Sequence, residues 1–182
     1  SWLLMVLPGL SQEKVEVEKR INTSEVPEHA LNWFKDSYEH AHRVRWYLEE
    51  SSEGRSYEAK LKWNGQRHSV EFSREGIIED IEVLIDQEEL PQNVWQSIQR
   101  YFENTYQKYR IRKIQRQWIG KPENLEDAID DGEVDEVDTR YEIEYYGKNG
   151  EGRELWEGLF DYRGDLIRKR IVKLRSTENL NF

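Results

Sequence analysis

Glu25-Val26-Pro27-Glu28-His29-Ala30-Leu31 returns in altered form as Glu89-Leu90-Pro91-Gln92-Asn93-Val94-Trp95, and reading the two stretches together decides the fold. The prolines stand 64 residues apart, and at that offset Ala30, Leu31, Phe34 and Tyr38 fall on Val94, Trp95, Ile98 and Phe102. Each set has the i, i+1, i+4, i+8 spacing of one helical face, and each proline opens its helix where a missing N–H costs nothing. The spacing predicts amphipathic helices over about 28–40 and 92–108.

Outward from each helix the period changes to two. Val44, Trp46 and Leu48 alternate with Arg43, Arg45, Tyr47 and Glu49, and Tyr57, Ala59, Leu61 and Trp63 alternate with Glu58, Lys60 and Lys62. Such alternation marks strands with one buried and one wet face. Asn64-Gly65 supplies a hairpin turn, and Ser73-Arg74-Glu75-Gly76 precedes a strand over 77–85. In the second half Tyr141, Ile143 and Tyr145 alternate with acids, Gly147–Gly152 turns, and Phe160-Asp161-Tyr162-Arg163-Gly164 matches Phe72-Ser73-Arg74-Glu75-Gly76. The expected fold is α+β: two repeats, each a helix plus a four-stranded antiparallel sheet, with the helices on one face of a curved sheet. Residues 166–174 do not alternate cleanly, so that strand's faces stay unassigned.

Charge is unevenly placed. The chain carries 37 acids and 27 bases among 182 residues, a net charge of -10. Nine acids and no base lie between Glu123 and Asp138, so the remainder holds 28 acids against 27 bases and is nearly neutral. Aromatics at 12%, with seven Trp and ten Tyr, separate the chain from disordered sequences. With no cysteine, disulfides, thiolate-bound zinc and thiol catalysis are excluded. A basic groove or recognition motif for nucleic acid is not evident.

Residues Trp2–Leu7 are apolar, Pro8 breaks the run, and Gly9 and Ser11 have the small-residue spacing of a signal-peptidase site. We read 1–11 as a signal-peptide remnant, 12–24 as an N-terminal extension, 25–88 and 89–175 as the two repeats, 120–138 as an acidic insertion in the second, and 176–182 as a tail. The expected location is periplasmic or secreted, without membrane insertion after signal cleavage.

The two Val26-Pro27 and Leu90-Pro91 helix openings, the aromatic strand around Trp46, the strand at Tyr57–Trp63, and the Phe72…Gly76 and Phe160…Gly164 turns together resemble the PepSY-like family, related to the beta-lactamase inhibitor protein fold. The resemblance covers about residues 25–175 as a tandem pair. It implies an exported α+β protein without catalytic residues, in a fold whose named relative blocks an enzyme through its open sheet face.

The sequence contains no Gly-x-Ser-x-Gly elbow, P-loop or Gly-x-Gly-x-x-Gly loop before a helix, so no enzymatic role is expected. His40 and His42 flank Ala41 as exposed junction residues rather than ligands. Trp33, Trp63, Trp95 and Phe72 follow the buried periodicity and belong to the core. The wet face offers Arg43, Arg45, Tyr47, Lys60, Lys62 and Tyr146 as contacts for a protein or peptide partner, tyrosine and arginine being enriched in interfaces. The alternative is a calcium- or small-ligand-responsive sensor built on the insertion. There Asp127, Asp131, Asp135 and Asp138 fall on positions one, five, nine and twelve of an EF-hand-type loop with Gly132 at six, although Ile129 occupies position three. No other cofactor is indicated. The basic run Arg163–Arg175 is expected to be neutralised by the insertion, at close range only.

Overall fold

The computed structural model describes residues 12–14, 17–51 and 54–172, so the expected signal-peptide remnant and C-terminal tail lie outside the described residues. The elements are β1 (Gln12–Lys14), β2 (Val17–Ile21), α1 (Glu28–Ser37), β3 (Arg45–Ser51), β4 (Gly54–Trp63), β5 (Gln66–Phe72), β6 (Ile78–Ile85), α2 (Gln92–Thr105), β7 (Lys108–Ile119), α3 (Pro122–Asp130), β8 (Asp138–Asn149), β9 (Gly152–Phe160) and β10 (Leu166–Val172).

The two proline stretches fold alike for local chemical reasons. The backbone N–H of Asn22 donates to Glu25 at 2.9 Å and that of Asp86 to Glu89 at 2.8 Å, each fixing a short 3₁₀ turn. Val26 and Leu90 then turn inward, and Pro27 and Pro91 launch α1 and α2. Gly76 and Gly164, at φ +82° and +86°, dock against these helices. A Cβ on Gly76 would stand 2.8 Å from Pro27 Cβ, and one on Gly164 2.5 Å from the Val94 carbonyl oxygen. Positive φ and backbone contact both exclude a side chain there.

The expectation of two repeats, each a helix and a four-stranded sheet, is corrected by the pairing. Among the described residues all strands belong to one ten-stranded sheet in the order β1-β10-β9-β8-β7-β6-β5-β4-β3-β2. At the supposed boundary β6 pairs with β7, Asp80–Ile85 against Ile114–Ile119, without a break. The fold is therefore mostly β, with helices added. Ala30 and Phe34 of α1 and Val94, Ile98 and Phe102 of α2 pack on one face, against Trp46, Val70, Phe72, Ile81, Val83, Ile143, Tyr145 and Phe160. Each fully buried large side chain of this kind stabilises by about 1.5–3 kcal/mol. Trp33, Trp63 and Trp95 pack partly buried against that core.

The edges of the sheet meet. β1 pairs with β10 in parallel and β2 pairs with β3 at the opposite edge, yet only two residues separate β1 from β2. Three peptide steps reach at most about 11 Å, whereas the seven inter-strand gaps from β10 to β3 would span about 34 Å in a flat sheet. The sheet must therefore curl until β1, on one edge, and β2, on the other, lie close together. β1 and β2 run in the same direction at the two edges, which accounts for the one parallel pairing among the described residues. The helix-free face is thus not open, as the alternation suggested, but forms the inside of the curl.

Two smaller departures have equally physical causes. Residues 122–130 form α3 within the acidic insertion, with Pro122 in its first turn and Leu125, Ala128 and Ile129 buried. Trp33 Nε1 of α1 donates to the Pro122 carbonyl at 3.1 Å, tying α3 to α1. In β10 a register shift between Leu166 and Arg168 breaks the alternation; beyond it Lys169 pairs with Gly158 and Ile171 with Trp156.

Candidate functional site

The inner face encloses a trough of about 1220 Å³ lined from Glu18 in β2 to Arg168 and Arg170 in β10, which confirms that both edges bound one space. Its floor is polar yet buried: Glu58, Ser69, Glu82, Gln115, Gln117 and Glu142 are only 5–9% exposed. Buried polar groups of this density require partners. Ser69 Oγ donates to Glu58, Gln115 Nε2 to Glu82 at 2.7 Å, and Gln117 Nε2 to Asp80 at 3.0 Å. Arg170 Nε reaches Glu157 at 2.6 Å. The basic strand is therefore met by β9, while α3 of the insertion packs on α1 and β6, contrary to the neutralisation expected from sequence.

Among the described residues two acidic triads have carboxylate oxygens within 4.8 Å of one another: Glu18, Glu49 and Glu58, and Glu71, Asp80 and Glu82. Lys60 Nζ enters the first, 3.0 Å from Glu18 and 2.9 Å from Glu58. Burial opposes the ammonium's charge, but Glu58 and Glu18 outweigh it and hold the Lys60 pKa above its ordinary value. In the second triad Glu71 and Asp80 are directly paired across β5 and β6. Burial, then the charges of Glu82, Glu142 and Glu79, push the Asp80 carboxyl well above the usual carboxylate range, against the lowering effect of the Gln117 hydrogen bond. Asp80 Oδ1, Gln115 Oε1 and Gln117 Oε1 are all buried without a hydrogen-bond partner.

Of the contacts expected from sequence, Arg43, Arg45, Lys60 and Lys62 line the trough. Arg43, Arg45 and Lys62 are exposed and, with Arg67, form a basic rim. Lys60 is engaged by its two glutamates and lies 4.7 Å from the Tyr47 ring centre. Tyr146 carries Arg153 at 4.0 Å and Arg112 at 5.9 Å from its ring centre, so its face is already occupied. Asp127, Asp131, Asp135 and Asp138 of the insertion enter neither acidic triad. Asp127 lies within α3, Asp131 follows its end, and Asp138 pairs with Arg140 at 2.6 Å. Sequence reasoning missed the Glu71, Asp80, Glu82 triad and its glutamines; pairing the 66–72 and 78–85 strands as a hairpin was the signal that could have found the acids.

Several solved structures share this architecture. A BLIP-like protein from Bacteroides fragilis is 14% identical with a TM-score of 0.53, the alignment covering 85% of this chain and 92% of that one. The fold is BLIP-like. DUF2874 family proteins from Bacteroides ovatus and Bacteroides uniformis match with TM-scores of 0.57 and 0.56 at 16% and 18% identity, each over 80% of this chain and over 87% and 89% of theirs. At such identity the likeness concerns the fold alone. No protein-family model matches the chain, and no curated protein matches its sequence.

Proposed function

We propose that the chain is an exported, non-enzymatic binding module of PepSY-like kinship whose basic rim receives an acidic segment of a protein or peptide partner. The observation that carries this reading is the juxtaposition of exposed Arg43, Arg45, Lys62 and Arg67 at one trough. Four cations on a concave rim raise the local concentration of an acidic partner and orient it. The BLIP-like neighbour supports a binding role, and a Bacteroides eggerthii neighbour provisionally assigned to the periplasm, with a TM-score of 0.53, supports a periplasmic or secreted location. Among the described residues, no helix is long and apolar enough to cross a membrane.

The test is cross-linking in the exported protein fraction with the native chain and an Arg45→Glu, Lys62→Glu variant. Charge reversal should remove the cross-linked partner and leave the folded circular-dichroism spectrum intact. An identical set of cross-links would sink the rim as the binding surface.

A further inference from the structure

Building on that reading of the basic rim, we infer that the acidic segment it receives is the 130–136 loop of a second copy of this chain, so that copies associate head to tail. Asp130, Asp131, Glu133, Asp135 and Glu136 belong to this run, in which every residue is exposed. The loop follows α3, which buries Leu125, Ala128 and Ile129 and packs against α1 and β6 on the helix-covered side. Neither these acids nor Arg43, Arg45, Lys62 and Arg67 form an ion pair or a side-chain hydrogen bond among the described residues. Lys62 and Arg67 are moreover paired directly across β4 and β5, where like charges repel and oppose folding. An anion seated between them turns that repulsion into attraction.

Within one chain the loop and the rim are kept apart. Lys62 and Arg67 flank the Asn64-Gly65 turn and align, through the neighbouring His68–Val83 pair, with the end of β6. Asp138, where the loop rejoins the sheet, aligns through Ile119 with Asp80 near the start of β6. Loop and rim therefore lie toward opposite ends of the strands, and the rim faces the trough while α3 lies on the other side of the sheet. A contact between one patch of one copy and a different patch of the next is heterologous, and it continues from copy to copy unless the rotation closes. The charge distribution favours it. Nine acids without a base lie between Glu123 and Asp138 and the remainder is nearly neutral, so loop and rim attract although the whole chain is negative.

The experiment is sedimentation equilibrium of the native chain at up to about 1 mM, where weak specific association is populated, with titration of a labelled synthetic peptide of residues 130–136. The average mass should rise with concentration at about 0.01 M salt and fall to that of a single chain at about 1 M, as the screening length shortens from about 30 to about 3 Å. Arg45→Glu with Lys62→Glu should stay monomeric, and so should Asp131→Asn with Glu133→Gln and Asp135→Asn. Mixed in equal amounts, the two variants should form a dimer and nothing larger, because one keeps an intact loop and the other an intact rim. A native chain that stays monomeric in low salt overturns the inference; if it still binds the peptide and the rim variant does not, the rim reading stands and only its occupant is wrong. Association that survives either variant, or a mixture that stays monomeric, overturns it equally.

Discussion

The two acidic triads on the inner face present the same problem and solve it differently. Around Glu18, Glu49 and Glu58 the chain supplies Lys60, which bridges Glu18 and Glu58 at 3.0 and 2.9 Å. Around Glu71, Asp80 and Glu82 it supplies the neutral amides of Gln117 and Gln115, which donate one hydrogen bond each to Asp80 and Glu82. A lysine neutralises charge permanently, whereas an amide solvates it and leaves the charge in place. The first arrangement offsets buried charge with a cation; in the second, burial and neighbouring acids hold the Asp80 carboxyl above the usual carboxylate range. Perturbed, desolvated carboxylates in a cleft are a recognised mark of functional sites for this reason.

Removing Lys60 exposes the charge that the first triad otherwise offsets. Lys60→Met leaves the Glu58 carboxylate, among the most buried acids of the floor, facing Glu18 uncompensated. Severing a buried pair costs about 3–5 kcal/mol, and the low end applies because the Lys60 side chain remains 37% exposed. Denaturant unfolding should show a loss of about 3 kcal/mol, largely recovered by adding Glu58→Gln. Recovery fails if Lys60 acts through its packing on Tyr47 instead.

Acid titration contains a background that must be separated next. His68 lies on the helix-covered side of β5, its Nδ1 3.0 Å from the Tyr38 hydroxyl, and burial lowers its pKa from 6.5 to about 4. The unfolded chain therefore takes up the proton first as pH falls. Stability from the neutral imidazole is complete above pH 6.5 and declines toward pH 4, by about 3 kcal/mol on the linkage relation. His68→Asn should flatten that limb of the stability profile. An unchanged limb would assign the acid sensitivity to the carboxylates.

Much of this fold is legible in local chemistry. Pro27, Pro91, Asn64-Gly65, Gly76 and Gly164 act within a few residues of themselves, and the helices and turns they imply are present, though α1 and α2 stop at Ser37 and Thr105, short of the spans drawn from periodicity. The meeting of the edges was illegible because β1 pairs with β10, more than 150 residues away, and no periodicity encodes a partner at that distance. α3 was hidden by its own acids, which masked Leu125, Ala128 and Ile129 at helical spacing. For the candidate site, the basic residues of the rim were readable as the polar phase of an alternation. The floor was not, since bringing Gln115 and Gln117 beside Asp80 and Glu82 depends on the pairing of β6 with β7 across the whole of α2. Curvature, too, leaves no trace in a period of two, and it converts an exposed sheet face into an enclosed one.

The smallest effect is the most discriminating for the two triads. Asp80 is held above the usual carboxylate range by burial and by Glu82, Glu142 and Glu79, so the folded state binds its proton more tightly than the unfolded state does. Below the ordinary carboxylate pKa both states are protonated and the residue costs nothing. As pH rises from there through the raised folded value, the unfolded chain ionises first and unfolding is favoured; above it the penalty is constant. Asp80→Asn removes that penalty and should stabilise the chain at neutral pH by about 0.5–2 kcal/mol, the usual gain from relieving unfavourable charge, with no gain in strong acid. The corresponding Glu58→Gln change should do the opposite, losing stability at neutral pH, because it removes the Glu58–Lys60 ion pair.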